Sequence, residues 1–173
     1  MNNKSVRTIL VAAVLVCCGQ VCKAQHTALA SASASVVAPI SLAKNVDMNF
    51  GNAAVSSTTG GAVILSPDGM RTTGGSGVTL PAASGVVSAA GFTVAGAPGF
   101  TYAITLPESA IISGPGTAAL LIDAFTSIPS ATGTLDATGS QILKVGATLN
   151  ITAAQAPGTY TNASALPVTV NYN

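Results

Sequence analysis

The chain has 173 residues, of which 49% are hydrophobic and only 6% are charged. Its formal net charge is +1, and its six lysines and arginines form no basic cluster, which excludes an electrostatic nucleic-acid-binding surface. The length is that of a single domain. With so few charges, much of the surface is neutral, and we expect a partner to cover part of it.

Residues 1–24 have the pattern of a secretory signal peptide. Lys4 and Arg7 precede an uncharged apolar run over residues 9–18, and small residues precede a cleavage site after Ala24. This run is shorter than the roughly 20 residues of a membrane-spanning helix, so we expect no transmembrane span in the mature chain. The alternative, a lipoprotein, would be anchored through one of three cysteines: Cys17, Cys18 or Cys22.

Cleavage at this point would remove every cysteine of the chain. The mature protein would then have no disulfide, no thiol nucleophile and no cysteine metal ligand. We expect a protein that is exported through the periplasm to the cell surface or the medium. Burial of apolar side chains and backbone pairing would have to hold it together.

Period-two alternation of apolar and polar residues predicts β-strands along the rest of the chain. The clearest alternations cover residues 34–50, 143–152 and 166–173, and shorter segments cover 63–65, 78–80, 92–94, 102–106, 110–112 and 120–125. Turn sequences such as Ser66-Pro67-Asp68-Gly69 separate them. This spacing predicts an all-β fold, a single immunoglobulin-like antiparallel β-sandwich over residues 40–173.

Few residues of the predicted mature chain could carry out catalysis. His26 is the one histidine, so a Ser-His-Asp triad and a histidine metal site both lack their parts. The five acidic residues are isolated in sequence, at positions typical of turns and solvated strand ends. We therefore expect no catalytic residues, no cofactor and no metal, and we expect that the protein is not an enzyme.

Four stretches resemble the bacterial family known as domain of unknown function 4402: Asn49-Phe50-Gly51 and residues 63–80, 92–107 and 145–173. The Pro-Gly-Thr-Tyr sequence ending at Tyr160, followed by an alternating terminal strand, is more loosely similar to spore coat protein U domains and to archaic chaperone-usher pilins. In such pilins the N-terminal extension of the next subunit fills a groove left by a missing strand. The likeness implies that the partners are other copies or related subunits, with a periplasmic chaperone and an outer-membrane usher.

The resemblance implies that the extension over residues 25–39 is a donor strand. Small apolar residues share one face of this segment: Ala30, Ala32, Ala34, Val36 and Ala38. The alternative is a flexible spacer, because each alanine would contribute little burial. At the other end of the chain, an alternating set resembles the pilin strand that borders the groove and that a chaperone holds: Leu166, Val168, Val170 and Tyr172.

These observations favour a structural subunit of a bacterial surface filament, such as a fimbrium, or of a coat, assembled by strand donation. The alternative is a self-contained secreted or surface-attached β-sandwich domain that serves binding or adhesion.

Overall fold

The computed structural model describes residues 26–173. The predicted signal peptide and its cleavage site lie outside the described residues. The chain divides into one unit that ends at Ser35 and a second unit, Val36–Asn173. In the first unit, residues 26–35 form no strand and are all exposed.

Within the second unit the structure has twelve strands, and every strand pairing is antiparallel. The strands are β1 (Ser41–Val46), β2 (Ala54–Val55), β3 (Gly61–Leu65), β4 (Arg71–Gly74), β5 (Val78–Thr79), β6 (Ala90–Ala95), β7 (Thr101–Thr105), β8 (Ser109–Ser113), β9 (Ala119–Ile128), β10 (Thr132–Thr134), β11 (Ser140–Ile151) and β12 (Thr169–Tyr172). Residues 26–173 contain no helix, and therefore none that could cross a membrane. The all-β antiparallel prediction is confirmed.

The large sheet is built around β11. One edge of β11 pairs first with β6 and then with β3, while the other edge pairs with β9. Strands β1, β4 and β8 extend the sheet beyond β6, β3 and β9, respectively. A three-stranded sheet has the order β10-β7-β12, and β2 and β5 form a short third sheet.

Two hydrophobic cores lie on the inner face of the large sheet. The main core lies between strands β6 and β11 of the large sheet and the three-stranded sheet. The buried residues of this core are Ala90, Phe92, Val94, Tyr102, Leu135, Leu143 and Val145. The second core lies under β5, and its buried residues are Phe50, Val63, Leu65, Val78, Leu120, Ile122, Ala147, Leu149 and Ile151. Because the odd positions of β11 enter both cores in turn, this one strand connects them.

Strand β9 contains a β-bulge. Its register with β11 shifts between Gly146 and Thr148, which leaves one extra residue on β9. Ala124 lies at this point with a φ of 46°. The inward-facing positions are even-numbered before the bulge, as at Ile122, and odd-numbered after it, as at Phe125. Strict alternation therefore predicts the strand only up to the bulge.

We predict that Ala124→Gly stabilises the protein. An alanine with positive φ is strained by about 1 kcal/mol, and the exposed Ala124 side chain loses no packing when its Cβ is removed. The conformational-entropy cost of glycine offsets part of this gain, so the free energy of unfolding in urea should rise by roughly a few tenths of a kcal/mol. Ala119→Gly, at an exposed position of the same strand without a positive φ, should instead lower it by about 0.5–1 kcal/mol. A loss of stability in both variants would contradict this account of the bulge.

A partly buried hydrogen-bond network connects the two main sheets. The hydroxyl of Tyr102, a residue with 0% exposure, donates to Oε1 of Gln141 at 2.7 Å. The same oxygen accepts the backbone N–H of Thr134 at 3.0 Å. A Cβ at Gly133 would stand 2.5 Å from this oxygen, so the close approach requires glycine. Burial also raises the pKa of Tyr102, which keeps the hydroxyl protonated as a donor.

We predict that Gln141→Leu is more damaging than Tyr102→Phe. The first change leaves a buried hydroxyl without its acceptor and should lower the free energy of unfolding by about 2 kcal/mol. The second leaves Gln141 with the Thr134 N–H and should cost about 1 kcal/mol. Urea denaturation of both variants measures the difference. Equal losses would mean that the hydrogen bonds do not determine the effect.

Candidate strand-docking seam

Two unpaired strand edges border the main core on the same side. Strand β1 pairs with β6 alone and β12 pairs with β7 alone among the strands of residues 36–173. The two edge strands come close to each other where the Tyr172 hydroxyl donates to the carbonyl of Ala38 at 2.9 Å. We call the gap between β1 and β12 the seam.

Half-buried apolar side chains line the seam. Ile40 and Leu42 pack against the main core from the β1 side, and Val168, Val170 and Tyr172 pack against it from the β12 side. Deeper residues of the same core are fully covered, with Val94 and Tyr102 at 0% exposure. The main core is therefore less covered along the seam than at its centre.

The hydrogen-bonding pattern shows which backbone groups of β12 are unpaired. The N–H of Asn173 donates to the carbonyl of Thr101 at 3.3 Å, so this end of the ladder is a hydrogen-bonded pair. Because such pairs alternate along an antiparallel ladder, Asn171 also bonds to β7, whereas Val170 and Tyr172 do not. Consistently, the N–H of Ile104, opposite Val170, donates to Ala131 on the far side of β7 at 2.8 Å.

The same reasoning applies to β1. The N–H of Gly96 donates to the carbonyl of Gly139 at 2.9 Å, so alternate residues of β6 beginning with Val94 bond to β11. Leu42 lies opposite Val94 and therefore directs its own N–H and carbonyl away from β6. Both edges thus present unpaired backbone groups at residues whose side chains line the seam.

Tyr172 closes the seam at the end next to Ala38. Its hydroxyl accepts the N–H of Ala97 at 2.6 Å, and its ring meets the ring of Phe100 edge-on at 5.6 Å. A Cβ at Gly96 would clash with the Tyr172 hydroxyl oxygen, so only glycine leaves room for this side chain. One aromatic residue therefore links β12 to the ends of both β6 and β1.

The edge of β8, in contrast, is covered. Ser113 and Thr161 exchange two backbone hydrogen bonds of 3.1 and 2.9 Å, and the Asn162 side chain donates to the carbonyl of Ile111 at 2.8 Å. Proteins commonly protect exposed edges in this way.

The structure places the predicted groove residues together. Leu166, Val168, Val170 and Tyr172 all pack against the main core, although the strand itself begins only at Thr169. Sequence analysis did not assign Ile40 and Leu42 to the site. Their even-numbered alternation with Val36 and Ala38 was visible, but it does not indicate which edge they would border.

The predicted donor residues show no strand in the isolated chain. Residues 26–39 are exposed throughout, with Val36 at 98%. Ala38 is the one member of the predicted set with a hydrogen bond to a seam residue, through its carbonyl. The donor assignment stays a prediction.

The remaining features of the described residues offer few groups for catalysis or metal binding. A cleft of about 260 Å³ lies beside the main core, and its lining contains no charged or histidine side chain: Ile104, Leu106, Phe125, Thr126, Ser127, Ser130 and Ala131. Over residues 26–173, no group of three or more histidine, cysteine or acidic side chains could hold a metal ion.

Comparison with protein families shows a match over most of the chain. The model described as "Domain of unknown function (DUF4402)" matches residues 40–172. Both borders of the seam lie inside this match, and the predicted donor segment lies before it. Comparisons with curated proteins and with solved structures found no match.

Proposed function

The chain belongs to the DUF4402 family, and we propose that it is a structural subunit of a bacterial surface filament or coat whose copies join by strand donation. The observation that supports this most strongly is the seam, where two unpaired edges flank a half-covered apolar core. A strand inserted there pairs with backbone groups that are otherwise unpaired. It also removes apolar surface from water.

The energetic gain is spread over several side chains. Each half-buried residue of the seam, such as Leu42 or Val170, gains on the order of 1 kcal/mol when it is covered, since complete burial of such side chains contributes about 1.5–3 kcal/mol. The backbone pairs supply orientation, and the alternating side chains supply register.

The proposed occupant is the extension of a second copy. Ala38 is held by Tyr172 of its own domain, so the segment available for donation ends before it. Ala30 to Val36 covers four alternate positions over about 20 Å when extended, and Leu166 to Tyr172 covers the same number and length. The two segments therefore match in length.

The proposal includes an export route. The mature subunit passes through the periplasm, where a chaperone covers the seam by strand addition and an outer-membrane usher receives the complex. The physical reason is that an uncovered apolar edge is prone to pair with any available strand.

The second candidate is a self-contained surface domain for binding or adhesion. It is favoured by Tyr172, whose hydroxyl bonds link β12 to both Ala97 and Ala38 within one chain. In that case the seam stays empty and the extension is a tether. The following experiment separates the two candidates.

We predict that Val36→Asp prevents polymer formation and that Ser35→Asp does not. On a donated strand, Val36 faces the core, where an unpaired carboxylate costs several kcal/mol, whereas Ser35 faces solvent. Polymer yield is measured on unboiled gels and by electron microscopy, at matched secretion of the two variants. Equal yields would exclude donation by this segment, and a wild-type protein that remains monomeric at high concentration would favour the self-contained domain.

A further inference from the structure

The outer face of the large sheet, the side away from both cores, is unusually apolar. Six large apolar side chains on it are between 41% and 57% exposed: Val46, Ile64, Ile111, Leu121, Ile128 and Ile142. Groups of exposed apolar side chains commonly mark interaction sites on soluble domains. We call this surface the outer face.

Strand register sorts these side chains into two groups, because directly paired residues share a face. The first group surrounds Lys144, which pairs with Ile128 on one side and with Gly91 on the other, and Gly91 also pairs with Val46. Ile142 lies two residues before Lys144 on the same face.

The second group surrounds Asp123. Leu121 lies two residues before Asp123 and pairs with Ile111 on β8. Thr148, opposite Asp123, also pairs with Ile64. The outer face therefore has one apolar group around a cation and another around an anion.

The two charges have no partners within the described chain. Across residues 26–173, the side chains of Lys144 and Asp123 form neither a hydrogen bond nor an ion pair, the one salt bridge being Lys44–Asp47. Asp68 does not serve as the partner of Lys144. The Ser66 hydroxyl donates a hydrogen bond to the Asp68 carboxylate and is the main cause of its lowered pKa, whereas Lys144 lowers that pKa least.

We propose that the outer face binds the outer face of a second copy of the chain, with Lys144 of each copy against Asp123 of the other. The two residues are separated by four residues along β11 and one strand spacing, or roughly 14 Å. A two-fold axis in the interface, midway between them, forms both ion pairs at once. Each contact then occurs twice.

The same two-fold axis also brings the apolar groups of the two copies into contact. Ile142 lies beyond Lys144 by the same step that separates Leu121 from Asp123, so it meets the Leu121–Ile111 pair of the other copy. The face covers roughly 25 by 20 Å, which places the contact at the small end of specific interfaces. Because area alone does not fix affinity, we add the expectation of a weak dimer with a Kd on the order of 10 µM. The contact is independent of the seam, and in a filament or coat it would join neighbouring copies sideways.

Charge exchange tests the pairing. In the full chain carrying Val36→Asp, which keeps the seam empty, sedimentation equilibrium should show a monomer–dimer equilibrium. Lys144→Asp and Asp123→Lys should each raise the dimer Kd by at least about tenfold, because each places like charges opposite one another. The double variant should return to within about threefold of the parent, because the reciprocal pair is restored with its signs exchanged.

Control variants separate this contact from other effects. Leu121→Ser should weaken the dimer, whereas Thr105→Asp, exposed on the outward side of β7, should leave its Kd unchanged. Matching thermal melts would show that all variants are folded. A parent that remains monomeric at about 100 µM, roughly tenfold above the expected Kd and therefore mostly dimeric if the contact forms, or a double variant as weak as the single ones, would overturn the proposal.

Discussion

The unpaired edge of β12 is the constraint on which the rest of the structure depends. At the level of the main core the large sheet is four strands wide, β1-β6-β11-β9, while the covering sheet has only three strands. Because the covering sheet is one strand narrower than the large sheet at this level, the side of the core next to β12 stays half-covered. Side chains such as Leu42 and Val170 lie there without a neighbouring strand above them.

The remaining interactions hold this incomplete layer in place. Gln141 fastens the covering sheet to β11 through Tyr102 and Thr134. Tyr172 fastens its outer strand to Ala97 and Ala38. These four hydrogen bonds, two at Gln141 and two at Tyr172, hold the two sheets together beside the open seam. The proposed acceptance of a strand would require this combination of a fixed groove and unpaired edges.

The outer face and the seam differ in the kind of contact that each would make. Seam contacts join backbones edge to edge, whereas outer-face contacts would join side chains face to face. Very few charges interrupt either surface, in keeping with the low charge content of the sequence as a whole. Lys144 and Asp123 are then specificity elements on an otherwise neutral face.

Sequence reasoning succeeded where a strand is regular and half-buried. The odd-numbered residues from Leu143 to Ile151 face the cores as predicted, since no bulge interrupts β11 on that face. It failed at β4 and β10, whose Thr- and Gly-rich sequences, as at Thr72, show no apolar alternation because these short strands bury no large apolar side chain. Alternation also fails to predict the part of β9 beyond Ala124, because the bulge there changes the inward-facing positions from even-numbered to odd-numbered.

Only one of the two borders of the seam was predictable from the sequence. The alternation ending at Tyr172 predicted one border, because the pattern is local. The other border depends on a contact between Tyr172 and Ala38, which lie 134 residues apart, and no local pattern reports which strand edges remain unpaired. The outer face was foreseen only as neutral surface, since its arrangement follows from cross-strand register.

Amide hydrogen exchange at β12 tests the central claim most directly. In the isolated subunit, the N–H groups of Val170 and Tyr172 should exchange quickly while that of Asn171 is protected, because only the last is bonded to β7. In the assembled filament all three should be protected, since a donated strand pairs with the outer edge. Protection of Val170 and Tyr172 in the isolated subunit, or their continued rapid exchange in the filament, would contradict the account.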